Sequence, residues 1–125
     1  MVSFGFPLKG VLSTSGNLTI GNLSALAGID GDLRALQSTA PTQHGNSGGP
    51  LLDQAGNVIG VSYQGLNDYD IDNAAFAIKS DILAIYLKSN NVAYSTAHNV
   101  VPLPATEIAK KANKYTAQVI CYQEQ

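Results

Sequence analysis

Short apolar segments alternate with clusters of glycine, asparagine and aspartate through the first 79 residues, and this spacing constrains the fold most strongly. The segments are rich in β-branched and aliphatic residues, which favours strands over helices. Turn clusters such as Ala27–Asp32 and Gln54–Asn57 separate them. Strands are predicted at Val2–Phe6, Leu18–Leu26, Leu33–Thr39, Pro50–Asp53, Val58–Gln64 and Ala74–Lys79. About six such strands predict a mainly β protein, either an antiparallel barrel or a sandwich.

The pattern changes to helical spacing after residue 79. Ser80–Lys88 is predicted to be a helix, with Ser80 as its cap and Asp81 in its first turn. Ala105–Lys114 is predicted to be a second helix. The remaining features are a linker at Val92–Pro104, an apolar helix face of Ile108, Ala109 and Ala112, and a final strand at Tyr115–Tyr122.

Composition excludes several classes of protein. The chain has 125 residues, 45% hydrophobic and 13% charged, which suits one domain with a buried core and argues against disorder. A net charge of −2 gives no general attraction to nucleic acid or anionic lipid. No apolar run approaches the ~20 residues that span a membrane. Cys121 is the single cysteine, so no internal disulfide is possible.

Residues 41–53, PTQHGNSGGPLLD, place three glycines around one serine, Ser47. The G-x-S-x-G spacing matches the nucleophile elbow of α/β-hydrolases, but that elbow requires a strand before the serine and a helix after it. Neither is predicted here, because Ala40–His44 is not strand-like and a Gly/Asn turn follows Pro50. A second interpretation is the oxyanion turn of chymotrypsin-like proteases, where losing one backbone donor costs about 3 kcal/mol of barrier. A third is a structural hairpin without catalytic meaning.

The combination GNSGGPLLD-x-x-G-x-V-I-G-V is highly specific and runs from Gly45 to Val61. Phe4–Pro7, Leu18–Gly28 and Phe76–Ile78 provide further matches. On these residues the chain resembles the C-terminal half of trypsin-like serine peptidases, most closely the bacterial HtrA-like group, over about residues 1–88. The resemblance implies a six-stranded antiparallel β-barrel, the second barrel of a chymotrypsin-like protease, followed by C-terminal helices.

The resemblance also assigns roles to individual residues. Ser47 corresponds to the nucleophile, and the backbone N–H groups of Gly45 and Ser47 correspond to the oxyanion hole. Asn46 stands where digestive enzymes have an aspartate, so activation through that ion pair is not expected. The predicted substrate-binding residues, on the edge strand that pairs with the substrate backbone, are Ser62, Tyr63 and Gln64.

A serine hydroxyl needs a base, and the base needs an orienting carboxylate. In the family, that histidine and aspartate lie on an N-terminal barrel, which would precede Phe4. His44 and His98 are interpreted as loop residues, so this chain alone is predicted to show no proteolysis. No cofactor or metal is predicted, because the acids Asp68, Asp70 and Asp72 lack the glycine and glutamate of a calcium loop.

The predicted organisation is a barrel with its terminal helix over residues 1–90, a linker over 91–104 and a helix-strand appendage over 105–125. We expect a protein or peptide substrate and a missing N-terminal barrel as partners, within a longer polypeptide. The uncovered barrel face is expected to cause self-association. The alternative function is a catalytically inactive trypsin-like barrel that acts as a protein-interaction module.

Overall fold

A computed structural model describes residues 1–5, 17–39, 48–63 and 75–117. Within these ranges the chain forms seven strands, two α-helices and a short 3-10 turn at Ile29–Gly31. The strands are β1 (Val2–Gly5), β2 (Asn17–Ile20), β3 (Leu23–Ala25), β4 (Ala35–Ser38), β5 (Pro50–Leu52), β6 (Val58–Tyr63) and β7 (Ala75–Lys79). The helices are α1 (Ser80–Ser89) and α2 (Ala105–Tyr115). Neither helix, in the part of the chain described, has the length and apolar character needed to cross a membrane.

The described strands form one antiparallel sheet in the order β2-β1-β5-β6-β7-β4-β3. The two end strands, β2 and β3, are separated in the chain by only Gly21 and Asn22. The Gly21 N–H donates to the Met1 carbonyl at 3.0 Å, whereas the Asn22 N–H donates to Thr39 Oγ1 at 2.8 Å. One bent segment therefore pairs with β1 and then with β4. This switch closes the sheet into the predicted mainly β, antiparallel barrel.

Two detailed predictions about the helices are wrong. Ser80 is not the cap of α1 but its first helical residue; Lys79 occupies the N-cap and no side chain caps the helix. The predicted final strand cannot begin at Tyr115, because α2 extends through that residue and the Thr116 N–H still bonds the Ala112 carbonyl at 3.0 Å. Residues 118–122 of that predicted strand lie outside the described residues.

Successive residues of β1 face opposite sides of the sheet. Ser3 lines a pocket to which β1, β4, β5, β6 and β7 all contribute, so its side chain faces the barrel interior. Val2 and Phe4 therefore face outward, yet both are buried, because α2 covers this outer face. The interior apolar cluster contains Leu36, Leu51 and Ala77, with Met1 and Ile59 packed against it. The outer cluster contains Val2, Phe4, Leu52, Ile108 and Ala112, with Leu18 and Leu103 at its edge.

Candidate active site

The described structure resumes at Gly48, the residue that follows Ser47 in the chain. The described residues therefore include the strand that leaves the serine turn and two of the three predicted substrate-binding residues, Ser62 and Tyr63. The predicted residues outside the described ranges are Gly45, Asn46, Ser47, Gln64, His44, Asp68, Asp70 and Asp72.

Gly48 is fixed both by its conformation and by its hydrogen bond. Its φ of +85° lies in the left-handed region, which a residue with a side chain rarely adopts. A Cβ at this position would meet no heavy atom within 4 Å, so the requirement for glycine comes from the backbone and not from crowding. The Gly48 N–H donates to the Ser62 carbonyl at 2.7 Å. The chain is thus anchored immediately after the predicted nucleophile.

Ser62 is the residue of β6 to which the serine turn is attached. Its own N–H donates to the Gly49 carbonyl at 2.9 Å, so both of its backbone groups pair with the two glycines. The pairing continues into the β5–β6 ladder, where Pro50 lies opposite Val61. A carbonyl oxygen has two lone pairs, so the Ser62 carbonyl keeps one acceptor position beyond Gly48.

The side chain of Ser62 is buried inside the barrel, with 6% of the residue exposed. It shares a small pocket with two other buried serines, Ser3 from β1 and Ser38 from β4. Three hydroxyls within an otherwise apolar lining make this part of the interior polar but uncharged. Only the Ser62 member of this cluster was predicted as a site residue, because Ser3 and Ser38 are distant in sequence and carry no motif.

Tyr63 is held on β6 by an aromatic neighbour on β7. It lies opposite Phe76 in the strand register, and the two ring centroids are 6.2 Å apart with the planes inclined by 28°. Phe76 is 6% exposed and is among the residues that line the serine pocket, whereas Tyr63 is not. Burial, with a smaller contribution from the Asp32 charge, raises the pKa of the Tyr63 phenol above its ordinary value. The phenol is therefore neutral at physiological pH and is available as a hydrogen-bond group.

The described residues contain no group of three or more histidine, cysteine, aspartate or glutamate side chains that could hold a metal. His98 is exposed in the segment between α1 and α2. Lys110, Lys111 and Lys114 are exposed on α2, as the sequence pattern indicates for a solvated face. Neither feature adds a charged group to the serine pocket.

Comparison with known proteins finds similarity to trypsin-like peptidases, both in a family model and in individual relatives. The trypsin-like peptidase domain family matches residues 1–61, which include GNSGGP and end within β6. The serine protease Do-like HtrB of Bacillus subtilis is 34% identical over 89 residues, covering 65% of this chain and 19% of that protein. The chloroplastic protease Do-like 2 of Arabidopsis thaliana is 29% identical over 85 residues, covering 66% of this chain and 14% of that protein.

A longer match is found to the uncharacterized protein y4bJ of Sinorhizobium fredii, 41% identical over 126 residues. It covers 94% of this chain and 20% of that protein. The uncovered 6% is fewer residues than the ten that follow α2, so this match includes α2. The chain spans between 14% and 20% of the length of these three relatives.

Proposed function

We propose that this chain is the nucleophile-bearing segment of a serine endopeptidase, because residues 1–61 match the trypsin-like peptidase domain family and longer stretches of the chain are similar to Do-like proteases. In this proposal Ser47 attacks the peptide carbonyl and forms an acyl-enzyme, which water then hydrolyses. The N–H groups of Gly45 and Ser47 stabilise the oxyanion. The histidine and aspartate that complete the triad lie on an N-terminal barrel of a longer polypeptide, called the complete protein below.

The observation that carries this proposal is the anchoring of Gly48. An oxyanion hole works because its donors are held in place before charge develops, so that no reorganisation is needed during the reaction. The left-handed conformation of Gly48 and its 2.7 Å hydrogen bond to Ser62 hold the backbone next to Ser47 in place, which supports such preorganisation. A structural hairpin would need neither the serine nor the specific sequence that follows it.

Substrate binding is proposed to use β6, the strand that contains Ser62. Ser62 and Tyr63 lie at the end of β6 next to the serine turn, and Gln64 follows them in the chain. The second lone pair of the Ser62 carbonyl can receive a substrate N–H. Because β6 is paired with both β5 and β7 and is not an edge strand over Val58–Tyr63, a peptide would bind at the C-terminal end of β6, where main-chain hydrogen bonds would provide its affinity.

The proposal predicts that the complete protein hydrolyses an unfolded protein substrate, whereas this chain alone does not. Without a base, the Ser47 hydroxyl stays protonated and is a weak nucleophile. The measurement is release of peptides from a fluorescently labelled unfolded protein, with equal molar amounts of the two proteins. Absence of hydrolysis by the complete protein would instead favour an inactive barrel that binds other proteins. Hydrolysis by the chain alone would contradict the missing-base assignment.

A further inference from the structure

Helix α2 packs against the outside of the barrel at β1, β2 and β5, the last of which follows the serine turn in the chain. Ile108 and Ala112 are 3% and 0% exposed, and they belong to one buried cluster with Phe4 of β1 and Leu52 of β5. Leu52 lies opposite Val2 in the β1–β5 pairing. The helix therefore covers the ladder between β1 and β5, and not a remote part of the barrel.

The segment leading to α2 is also tied to the barrel. The Leu103 N–H donates to the Gln54 carbonyl at 2.8 Å. The Asn57 side chain donates through Nδ2 to the Asn99 carbonyl at 2.7 Å and accepts from the Asn99 N–H at 3.2 Å. Both Gln54 and Asn57 lie in the turn that joins β5 to β6. We call residues Asn99–Tyr115 the tail brace, because they form hydrogen bonds with this turn and pack against the outer face of β5.

The Asn57 side chain is itself oriented by the turn. Asp53 accepts from the Asn57 Nδ2 at 2.9 Å through one carboxylate oxygen, and from the N–H groups of Ala55 and Asn57 at 2.9 Å through the other. Asp53 therefore fixes the orientation of the Asn57 side chain that hydrogen-bonds Asn99. The contact between Asn57 and Asn99 is thus supported by the hydrogen bonds of the β5–β6 turn.

β5 has only three residues, and its pairing with β1 consists of Val2 with Leu52 and Ser3 with Leu51. A strand this short depends on its neighbours for a fixed position. On its interior side it contacts the barrel core through Leu51, and on its exterior side the tail brace covers Leu52. The glycines that follow Ser47 lead directly into this strand.

We propose that the tail brace positions the Ser47 turn, with Ile108 and Ala112 acting through Leu52 as positioning residues. The inference rests on the proposed function, because it assigns the brace to the same catalytic serine. Release of the brace loosens β5 and the Gly48–Ser62 hydrogen bond, so the oxyanion donors lose their fixed geometry. The segment after the peptidase barrel thereby becomes a point from which activity is controlled.

The test compares Ile108→Asp with Lys111→Asp, which places the same carboxylate on the exposed face of α2. In this chain, hydrogen exchange followed by mass spectrometry measures the amides of Gly48–Leu52 and, as an internal reference, those of Ala75–Lys79. We expect Ile108→Asp to accelerate exchange at Gly48–Leu52 by about tenfold or more, while the reference strand keeps its protection. Lys111→Asp and the conservative Ile108→Val should leave both segments unchanged.

In the complete protein, the same variants are assayed for the rate at which a fluorophosphonate phosphonylates the serine, with release of fluoride, and for steady-state hydrolysis of a peptide substrate. Ile108→Asp should slow phosphonylation by about 100-fold, since a displacement of roughly 1 Å costs that much. In the hydrolysis assay the effect should fall on kcat with little change in KM. Ile108→Val should restore the rate.

Three outcomes would overturn the inference. Equal acceleration of exchange in both segments, by Ile108→Asp and also by the uncharged Ile108→Ala, would show that α2 supports the whole barrel and not β5 selectively. Unchanged exchange at Gly48–Leu52 would show that the brace does not hold β5. Selective loosening with a normal phosphonylation rate would separate the brace from Ser47 and leave the proposed function intact. Failure of the proposed function is distinct, since the unsubstituted protein would then not react at all.

Discussion

Replacing Ser47 with alanine is expected to lower kcat of the complete protein by about 10⁶-fold, the loss found when a serine protease is deprived of its nucleophile. No other serine in the GNSGGP segment can take over the attack, because Ser47 is its only hydroxyl. The loss should appear in kcat, since the acyl-enzyme can no longer form, while substrate binding through β6 is retained. The measurement is steady-state hydrolysis of a peptide substrate.

The matched control is Ser24→Ala, which removes an exposed serine on β3. It should leave kcat and KM unchanged, because Ser24 is exposed and β3 pairs with β4, not with β5 or β6. A Ser47→Ala protein that keeps most of its activity would contradict the assignment of Ser47 as nucleophile.

Replacing Phe4 with alanine is expected to lower the free energy of unfolding by about 3–5 kcal/mol, through lost burial and the cavity left behind. Phe4 is 2% exposed and lies between β1 and α2, opposite Leu18 of β2. Deleting its ring removes the centre of the outer cluster, so the barrel and the tail brace are both weakened. Urea unfolding followed by far-ultraviolet circular dichroism measures the change.

Tyr86→Ala removes an aromatic ring of similar size from α1, where the residue is 64% exposed. This control should change the free energy of unfolding by no more than about 0.5 kcal/mol. A loss below about 1 kcal/mol for Phe4→Ala would mean that the outer face of β1 is not covered by α2. That result would also remove the structural basis of the tail brace.

The sequence predicts the strands well because each is bounded by turn residues with a local cause. β6 is observed at Val58–Tyr63 and predicted at Val58–Gln64, and β5 differs from its prediction only at Asp53. Leu18–Leu26 is the exception, since it is two strands of the sheet. The break at Gly21 and Asn22 arises from a change of pairing partner, which depends on Met1 and Thr39 and not on local preference.

The docking of α2 illustrates a contact that periodicity alone cannot locate. The spacing of Ile108, Ala109 and Ala112 indicates an apolar helix face, and Ile108 and Ala112 are indeed buried. What that face covers is decided by Leu103 and by the pairing of Asn57 with Asn99, which are 42 positions apart. None of these three residues is a defining position of a recognisable motif, so the sequence gives no signal for the contact between α2 and the barrel.

The candidate site also contains one part that the sequence predicts and one part that it does not. Ser47 and its glycines are predictable because the oxyanion turn is encoded within six consecutive residues. The buried cluster of Ser3, Ser38 and Ser62 is not, because three different strands bring it together. The substrate-binding roles of Ser62, Tyr63 and Gln64 remain predictions.

The most direct test is to treat the complete protein with a fluorophosphonate and to map the modified residue by mass spectrometry of its peptides. Our account predicts a single stoichiometric adduct on Ser47, lost in Ser47→Ala and absent when this chain is treated alone. An adduct on another residue would contradict the account, as would a complete protein that remains unmodified while its upstream barrel carries the histidine and the aspartate.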